Sequence, residues 1–150
     1  MDRVWQVGVV VRDLNRAVEA FTDLMPVKEP PLFNRVGRSL SSDECNTVYK
    51  GDTKSMASCT TCCFQFDNIE IEFIEPYGDA PSEWKNFLDE HGEGIHHLGF
   101  KIQDLQKTRE TMHSKGYEEV QSGSWGEGEY HYYDTRKALG FALELMLFYK

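Results

Sequence analysis

Two stretches of this sequence are near copies of each other, and they decide the fold. The first, Gln6–Glu19, reads QVGVVVRDLNRAVE, and the second, His97–Glu110, reads HLGFKIQDLQKTRE. At a spacing of 97 − 6 = 91 residues, Gly8 aligns with Gly99 and one Asp-Leu pair aligns with the other. Both copies alternate like a strand and then take helical spacing, so the sequence predicts two related modules.

A second pair of similar segments closes the two modules. Ile69–Ile74 reads IEIEFI and Phe141–Met146 reads FALELM, which aligns Glu72 with Glu144 at a spacing of 144 − 72 = 72 residues. Each module is therefore expected to end on a strand that carries a glutamate. The two spacings differ, so the middle segments of the modules must differ in length.

Three segments have the start signals of helices. Asp13 and Asp104 are good N-cap residues and precede apolar residues at helical spacing, and a third helix is expected after Ser82. The sequence thus predicts one domain over residues 1–150, with a first module over about 1–78, a linking helix over about 81–91 and a second module over about 94–150.

The four predicted strands have one apolar face and one face with polar side chains. The polar faces carry four residues that could act together: Gln6, Glu72, His97 and Glu144. Polar groups on a buried sheet face need partners, and a divalent cation with oxygen and imidazole ligands is one such partner. The alternative is a hydrogen-bonded polar cluster without a metal. The mostly oxygen donor set favours Mn, Co, Mg, Zn or Ni over copper or an iron–sulfur cluster.

Composition excludes several classes of function. The 150-residue chain has a net charge of −9. Such an acidic chain lacks the basic surface that binding to nucleic acids or anionic membranes requires. Its apolar runs have the length of strands and not of membrane spans. Four cysteines and a strand pattern that begins almost at once predict a cytoplasmic protein with free thiols. The Cys59 and Cys62 pair lies on opposite faces of a strand pattern, which favours buried thiols over a metal or redox site.

These segments resemble the vicinal oxygen chelate superfamily, which includes glyoxalases, bleomycin-resistance proteins, extradiol dioxygenases and methylmalonyl-CoA epimerases. The resemblance rests on the repeat, on its opening strand and on Gly92–Phe100, which reads GEGIHHLGF. The order of Ile69–Pro76, a short helix and the Gly-Ile-His-His stretch is most similar to the epimerase branch.

The resemblance implies an α+β fold in which two tandem βαβββ modules form a curved mixed sheet around a central cavity. It assigns metal binding to Gln6, Glu72, His97 and Glu144, the four residues that strand phase selects. It also implies a metal-dependent isomerase or lyase, in which Glu144 is the preferred catalytic base and Glu72 the alternate. A small-molecule substrate and a homodimer are the expected partners.

Two departures from the family pattern keep other functions open. Gln6 stands where the family usually has histidine, and an amide oxygen is the weaker ligand. The second carboxylate of the epimerases has no counterpart in 55–64, and Asp43, Glu44 and Asp52 are the nearby substitutes. The alternatives are a glyoxalase-like lactoylglutathione lyase and a non-catalytic small-molecule binding protein of the bleomycin-resistance type.

Overall fold

The computed structural model of the chain describes residues 3–37 and 46–150. Over these residues it is a mixed α+β structure with one strongly curled sheet, which confirms the predicted fold class. In chain order the elements are β1 (Val4–Val10), α1 (Leu14–Leu24), β2 (Leu32–Gly37), β3 (Val48–Tyr49), β4 (Ser58–Gln65), β5 (Glu70–Tyr77), α2 (Glu83–His91), β6 (Gly94–Ile102), α3 (Leu105–Ser114), β7 (Glu119–Trp125), β8 (Gly128–Tyr133), α4 (Arg136–Leu139) and β9 (Ala142–Phe148).

The strand order shows how the repeat builds the sheet. It runs β2-β4-β5-β1-β6-β9-β8-β7-β3, so the two halves have the same order in opposite directions. In each half the first strand pairs in parallel with the last, β1 with β5 and β6 with β9. The halves join through the antiparallel pair β1 and β6. This arrangement is two βαβββ modules, with β3 added at the far edge; the residue boundaries proposed for the modules remain a prediction.

The predicted helix starts agree with the structure. The side chains of Asp13, Ser82 and Asp104 each accept a hydrogen bond from the backbone N–H three residues later, as N-caps do. The short α4 has no such side-chain cap, and the sequence pattern did not predict it.

The two faces of the sheet bury different clusters. On the convex face, Leu14 of α1 packs with Phe64, and Met112 of α3 packs with Leu145. On the concave face, Trp84 and Phe87 of α2 pack with a larger group: Val10, Cys59, Ile74, Tyr130, Tyr132 and Met146. The strand faces predicted to be apolar therefore lie under α1 and α3, and the polar faces line the inside of the curl.

The remaining predictions about the chain have mixed outcomes. Cys59, Cys62 and Cys63 are free thiols, and Cys59 and Cys62 lie in different clusters, as expected from strand phase. The sequence of segments 30–54 and 120–129 is typical of loops or irregular hairpins, but these segments contain β2, β3 and most of β7. Within the described residues, every helix is too short or too polar to cross a bilayer.

Candidate functional site

Gly8 makes room for one side of the site. It pairs with Glu72 of β5 on one side and with His97 of β6 on the other. A Cβ added at Gly8 would lie 2.0 Å from His97 Cε1 and 2.4 Å from each ring nitrogen. The imidazole of His97 therefore lies directly over the bare backbone of Gly8, a position that any side chain at residue 8 would occupy.

Gly99 plays the same part in the second module. It pairs with Gln6 of β1 and with Glu144 of β9. A Cβ at Gly99 would lie 2.8 Å from Glu144 Oε2, 2.8 Å from Met146 Cε and 3.2 Å from Gln6 Cβ. The two glycines that align in the sequence repeat thus open the space in which the polar side chains meet.

The structure brings the four predicted residues together around His97. Its Nε2 atom lies 2.9 Å from Gln6 Oε1 and 3.1 Å from Glu144 Oε2. The same nitrogen is 3.8 Å from Glu72 Oε2. Residues that are up to 138 positions apart in the chain (144 − 6) therefore place their polar atoms within one small volume.

The cluster is acidic and almost closed to solvent. The His97 side chain is 0% exposed, while those of Glu144 and Glu72 are 5% and 14% exposed. Burial, the charge of Glu144 and the charge of Glu70 together raise the pKa of Glu72 well above its usual value. A bound cation would reverse this penalty, because it favours the ionised form of both carboxylates.

One oxygen of the cluster is an unsatisfied hydrogen-bond acceptor. Glu144 Oε2 is buried and accepts no hydrogen bond, although His97 Nε2 lies 3.1 Å away. A buried carboxylate oxygen without a hydrogen-bond partner lowers the free energy of unfolding by about 1–3 kcal/mol or more, so its presence requires an explanation. The donors present, two carboxylates, an imidazole and an amide oxygen, fit a divalent cation chemically.

The same atoms are not arranged as a coordination shell. Among the described residues, no group of three or more His, Cys, Asp or Glu side chains has the geometry to hold a metal ion. Instead, the donor set is joined by a direct hydrogen bond between the His97 ring and Gln6 Oε1. The chemistry of the residues therefore fits a cation better than their present spacing does.

Two residues of the cluster were missed by the sequence analysis. Glu70 accepts a 2.6 Å hydrogen bond from Gln6 Nε2, and its strand phase, the same as that of Glu72, was the available signal. His96 lies with its Nδ1 atom 3.0 Å from Nδ1 of His97. Strict alternation would separate these two rings, but the pairing of β1 and β6 shifts register just after Gly8. Such a bulge re-aims side chains, and no sequence signal marks it.

Asp52, the one candidate second acid that the structure describes, does not join the cluster. Asp52 lies in an exposed turn, where its carboxylate accepts a bond from the Lys54 N–H, and Asp43 and Glu44 lie outside the described residues. The nearest β4 side chain is Cys63, whose thiol is 3.9 Å from Glu72 Oε1. Burial and the charges of Glu72 and Glu70 raise the pKa of this thiol far above its usual value.

An aromatic wall closes the second-module side of the cluster. The Tyr132 ring lies 5.1 Å from the His97 ring, and its hydroxyl accepts a hydrogen bond from Trp84 Nε1. Two surface cavities of about 210 and 220 Å³ lie elsewhere, one beside Arg109 and one beside Met56, and none of the four candidate residues lines either. The polar cluster is thus a buried centre, in which the side chain of Glu72 is more exposed than that of Glu144.

Comparison with known proteins identifies the family. Residues 5–133 match the sequence profile of the glyoxalase/bleomycin resistance protein/dioxygenase superfamily. The chain belongs to this superfamily. The match spans both modules as far as β8, so it confirms the resemblance drawn from the repeat.

Solved structures share the superfamily fold at low sequence identity. A hypothetical protein from Bacillus halodurans C-125 superposes with a TM-score of 0.65 at 16% identity, covering 99% of this chain and 95% of its own. A methylmalonyl-CoA epimerase from Mycobacterium tuberculosis gives a TM-score of 0.61 at 18% identity, covering 98% and 88%. A Streptomyces coelicolor methylmalonyl-CoA epimerase in complex with 2-nitronate-propionyl-CoA gives 0.61 at 16%, covering 99% and 98%. No curated protein matches the chain.

Proposed function

We propose that this protein is a metal-dependent isomerase or lyase that stabilises the enolate or enediolate of a small carbonyl or acyl-thioester substrate. The closest activity is that of a methylmalonyl-CoA epimerase. The observation that carries the proposal is the meeting of Gln6, Glu72, His97 and Glu144 around a buried carboxylate oxygen that accepts no hydrogen bond. Superfamily membership and the fold of the epimerases support it.

The four side chains divide into a charge-balancing pair and a neutral pair. Glu72 and Glu144 would balance the two charges of a divalent cation, while His97 Nε2 and Gln6 Oε1 would complete the ligand set. The cation would supply a Lewis acid that polarises adjacent oxygens of the substrate and stabilises the negative charge of the enolate. The candidate cations are those of Mn, Co, Mg, Zn and Ni.

Glu144 is the proposed catalytic base. Its carboxylate is buried in the cluster, where it would accept the proton from the carbon next to the substrate carbonyl. Burial excludes water from the transfer and strengthens the interaction between this carboxylate and the substrate proton. Glu72 is the alternate base, since its carboxylate lies on the other side of His97 from Glu144 in the sheet.

Two other functions stay open beside this one. A glyoxalase-like lactoylglutathione lyase would use the same four residues on a different substrate. A small-molecule binding protein of the bleomycin-resistance type is favoured by one observation: the side chains of β4 beside Glu72, such as Cys63, include no carboxylate that could serve as a second base. Binding without turnover would then leave the cluster as a ligand contact. A cytoplasmic location and a homodimer also remain proposals.

Metal analysis followed by isotope exchange tests the proposal. The purified chain would be analysed for bound Mn, Co, Mg, Zn and Ni and then incubated in D₂O with methylmalonyl-CoA or with the hemithioacetal of methylglyoxal and glutathione. One metal per chain with deuterium entering either substrate supports an enzyme, and the substrate that exchanges selects the branch. A folded protein that holds no metal and exchanges neither substrate would overturn the enzymatic proposal.

A further inference from the structure

Lys101 lies on the same strand and the same face as the proposed metal ligands. On β6, the residues His97, Gly99 and Lys101 alternate onto the concave side of the sheet, and Lys101 pairs with Met146 of β9. Strand geometry separates the Cα atoms of Gly99 and Lys101 by about 7 Å. α2 packs beside His96, at the other end of the strand. Lys101 therefore lies at the end of the concave face that faces away from α2.

The ammonium of Lys101 is held by aromatic rings. Its Nζ atom lies 3.2 Å from the centroid of the Trp5 ring and 4.0 Å from that of Phe148. Phe148 packs in turn against Trp125, with ring centroids 5.5 Å apart. Rings in these positions fix the ammonium by cation–π attraction and restrict its stem, so the charge is pre-positioned.

This cation has no counter-ion in the described part of the chain. The ion pairs that lysine and arginine side chains form in the described residues do not include Lys101. The guanidinium of Arg3 lies 5.3 Å from the centroid of the Trp5 ring, which Lys101 also contacts. Burial and the charge of Arg3 lower the pKa of Lys101, and Glu70 acts against them only at longer range. Two cations thus lie against the same aromatic ring in a protein whose net charge is −9.

We propose that Lys101, supported by Arg3 and the Trp5 ring, binds an anionic group of the molecule that occupies the concave site. An ammonium with three donors and no acceptor partner binds a carboxylate or a phosphate through charge-assisted hydrogen bonds. The inference rests on the proposed function, since it names a feature of the substrate for that same site. It specifies a ligand with an oxyanion beyond the atoms that contact Gln6 and Glu144.

A carboxylate and a phosphate would be recognised by the same chemistry, so the probes must separate them. Coenzyme A carries phosphates without an acyl carboxylate, whereas the malonyl thioester of N-acetylcysteamine carries a carboxylate without phosphates. Malonyl-CoA carries both. Calorimetric titration of each probe into the full chain gives three dissociation constants for every variant.

Lys101→Met is the decisive variant, because methionine keeps an unbranched stem against Trp5 and removes only the charge. It should weaken binding of the recognised probe about 10- to 100-fold, while Lys101→Arg should stay within about threefold of the unmodified chain. Lys107→Met, on the exposed side of α3, is the matched control and should change nothing. A loss confined to probes with phosphates assigns the phosphate, and a loss with the short malonyl thioester assigns the carboxylate.

Other outcomes would overturn the inference. It fails if Lys101→Met and a second variant, Lys101→Gln, bind every probe within twofold of the unmodified chain, or if the unmodified chain binds none of the probes. Raising NaCl from 50 to 500 mM should weaken binding to the unmodified chain, and no salt effect would also contradict it. Metal content measured on the same samples keeps the two proposals apart. Probe binding that needs Lys101, in a protein that holds no metal and exchanges neither substrate, would refute the enzyme and leave this subsite standing.

Discussion

The two modules supply matching halves of one site, but the halves are not alike. The second module contributes His97 and Glu144, whose side chains are 0% and 5% exposed and lie against Tyr132. The first contributes Gln6 and Glu72, and Glu72 is 14% exposed beside the thiol of Cys63. The two modules share a backbone arrangement in which a glycine pairs with each glutamate, and they differ in the side chains around it.

This difference suits the two halves of the site to different roles. A buried, tightly packed half suits the group that moves a proton, because water is excluded there and the geometry is fixed. A more open half suits the arrival of a ligand, and the first module also has the exposed edge strand β2. The following variants test the comparison in order of decreasing effect.

Replacing Glu144 by glutamine should have the largest effect. Glutamine keeps the shape of the side chain but cannot accept the proton, so the rate of deuterium exchange should fall by about 10²- to 10⁴-fold. Glu129→Gln, on the other face of the adjacent strand β8, is the control and should leave exchange intact. Exchange within tenfold of the unmodified rate in the Glu144 variant would remove the second module's proposed role.

The two glycines offer a direct comparison between the modules. Gly8→Ala places a methyl group 2.0 Å from the rigid ring of His97, whereas Gly99→Ala meets the flexible ends of Glu144 and Met146 at 2.8 Å. We expect Gly8→Ala to cost about 1–3 kcal/mol of unfolding free energy and to weaken metal binding at least tenfold, with a smaller loss for Gly99→Ala. Calorimetry and metal titration provide both numbers.

Gly126→Ala is the control for the effect of replacing any glycine by alanine, because a Cβ at that position has no neighbouring atom within 4 Å. Equal stability and equal metal affinity in the Gly8 and Gly126 variants would show that His97 does not need its place over Gly8. The contrast between a rigid and a flexible neighbour would then be wrong.

Much of this site could be predicted from the sequence because it follows from strand phase and repetition. Gln6, Glu72, His97 and Glu144 each lie on the polar face of an alternating strand, and the repeat puts them at equivalent positions. The placing of His96 could not be predicted, because the register shift beside Gly8 arises from how two strands pair. Glu70 shows its phase in the sequence, but its value as a partner depends on the Gln6 amide 2.6 Å away.

The fold was predictable for similar reasons, and its prediction was wrong where such patterns are absent. The helix caps and the strands under α1 and α3 are local patterns with apolar faces. β2 was missed because Leu32, Phe33, Asn34 and Arg35 are all exposed, so no buried face imposes an alternation on them. β3 is two residues long, and its strand conformation depends on pairing with β7, more than 70 residues later (122 − 48 = 74).

Gln6→His would make the two halves of the site alike. Imidazole is a better ligand than an amide for Mn, Co, Zn or Ni, so metal affinity should rise by about tenfold in a competition titration. Gln65→His, on the exposed end of β4, controls for an added histidine and should leave the affinity unchanged. An affinity that falls in the Gln6 variant would mean that the amide is needed as the acceptor for His97 and not as a ligand.

Glu72→Gln should have the smallest effect, and its sign is opposite to that of a typical core substitution. The pKa of Glu72 is raised in the folded chain, so its contribution to stability is present at low pH and is lost as the pH rises through that raised pKa. In metal-free protein at pH 8 the variant should therefore be the more stable, by about 2–4 °C in Tm for each kcal/mol removed. Glu19→Gln, exposed on α1, is the control, and a lower Tm for Glu72→Gln would contradict the repulsion within the cluster.

Anomalous diffraction from crystals soaked in MnCl₂ tests the shared site most directly. One peak is expected on the concave face, within about 2.0–2.4 Å of Gln6 Oε1, His97 Nε2 and an oxygen from each of Glu72 and Glu144. A peak elsewhere, one that contacts a single module only, or none at saturating Mn²⁺ would contradict a metal centre built jointly by the two halves.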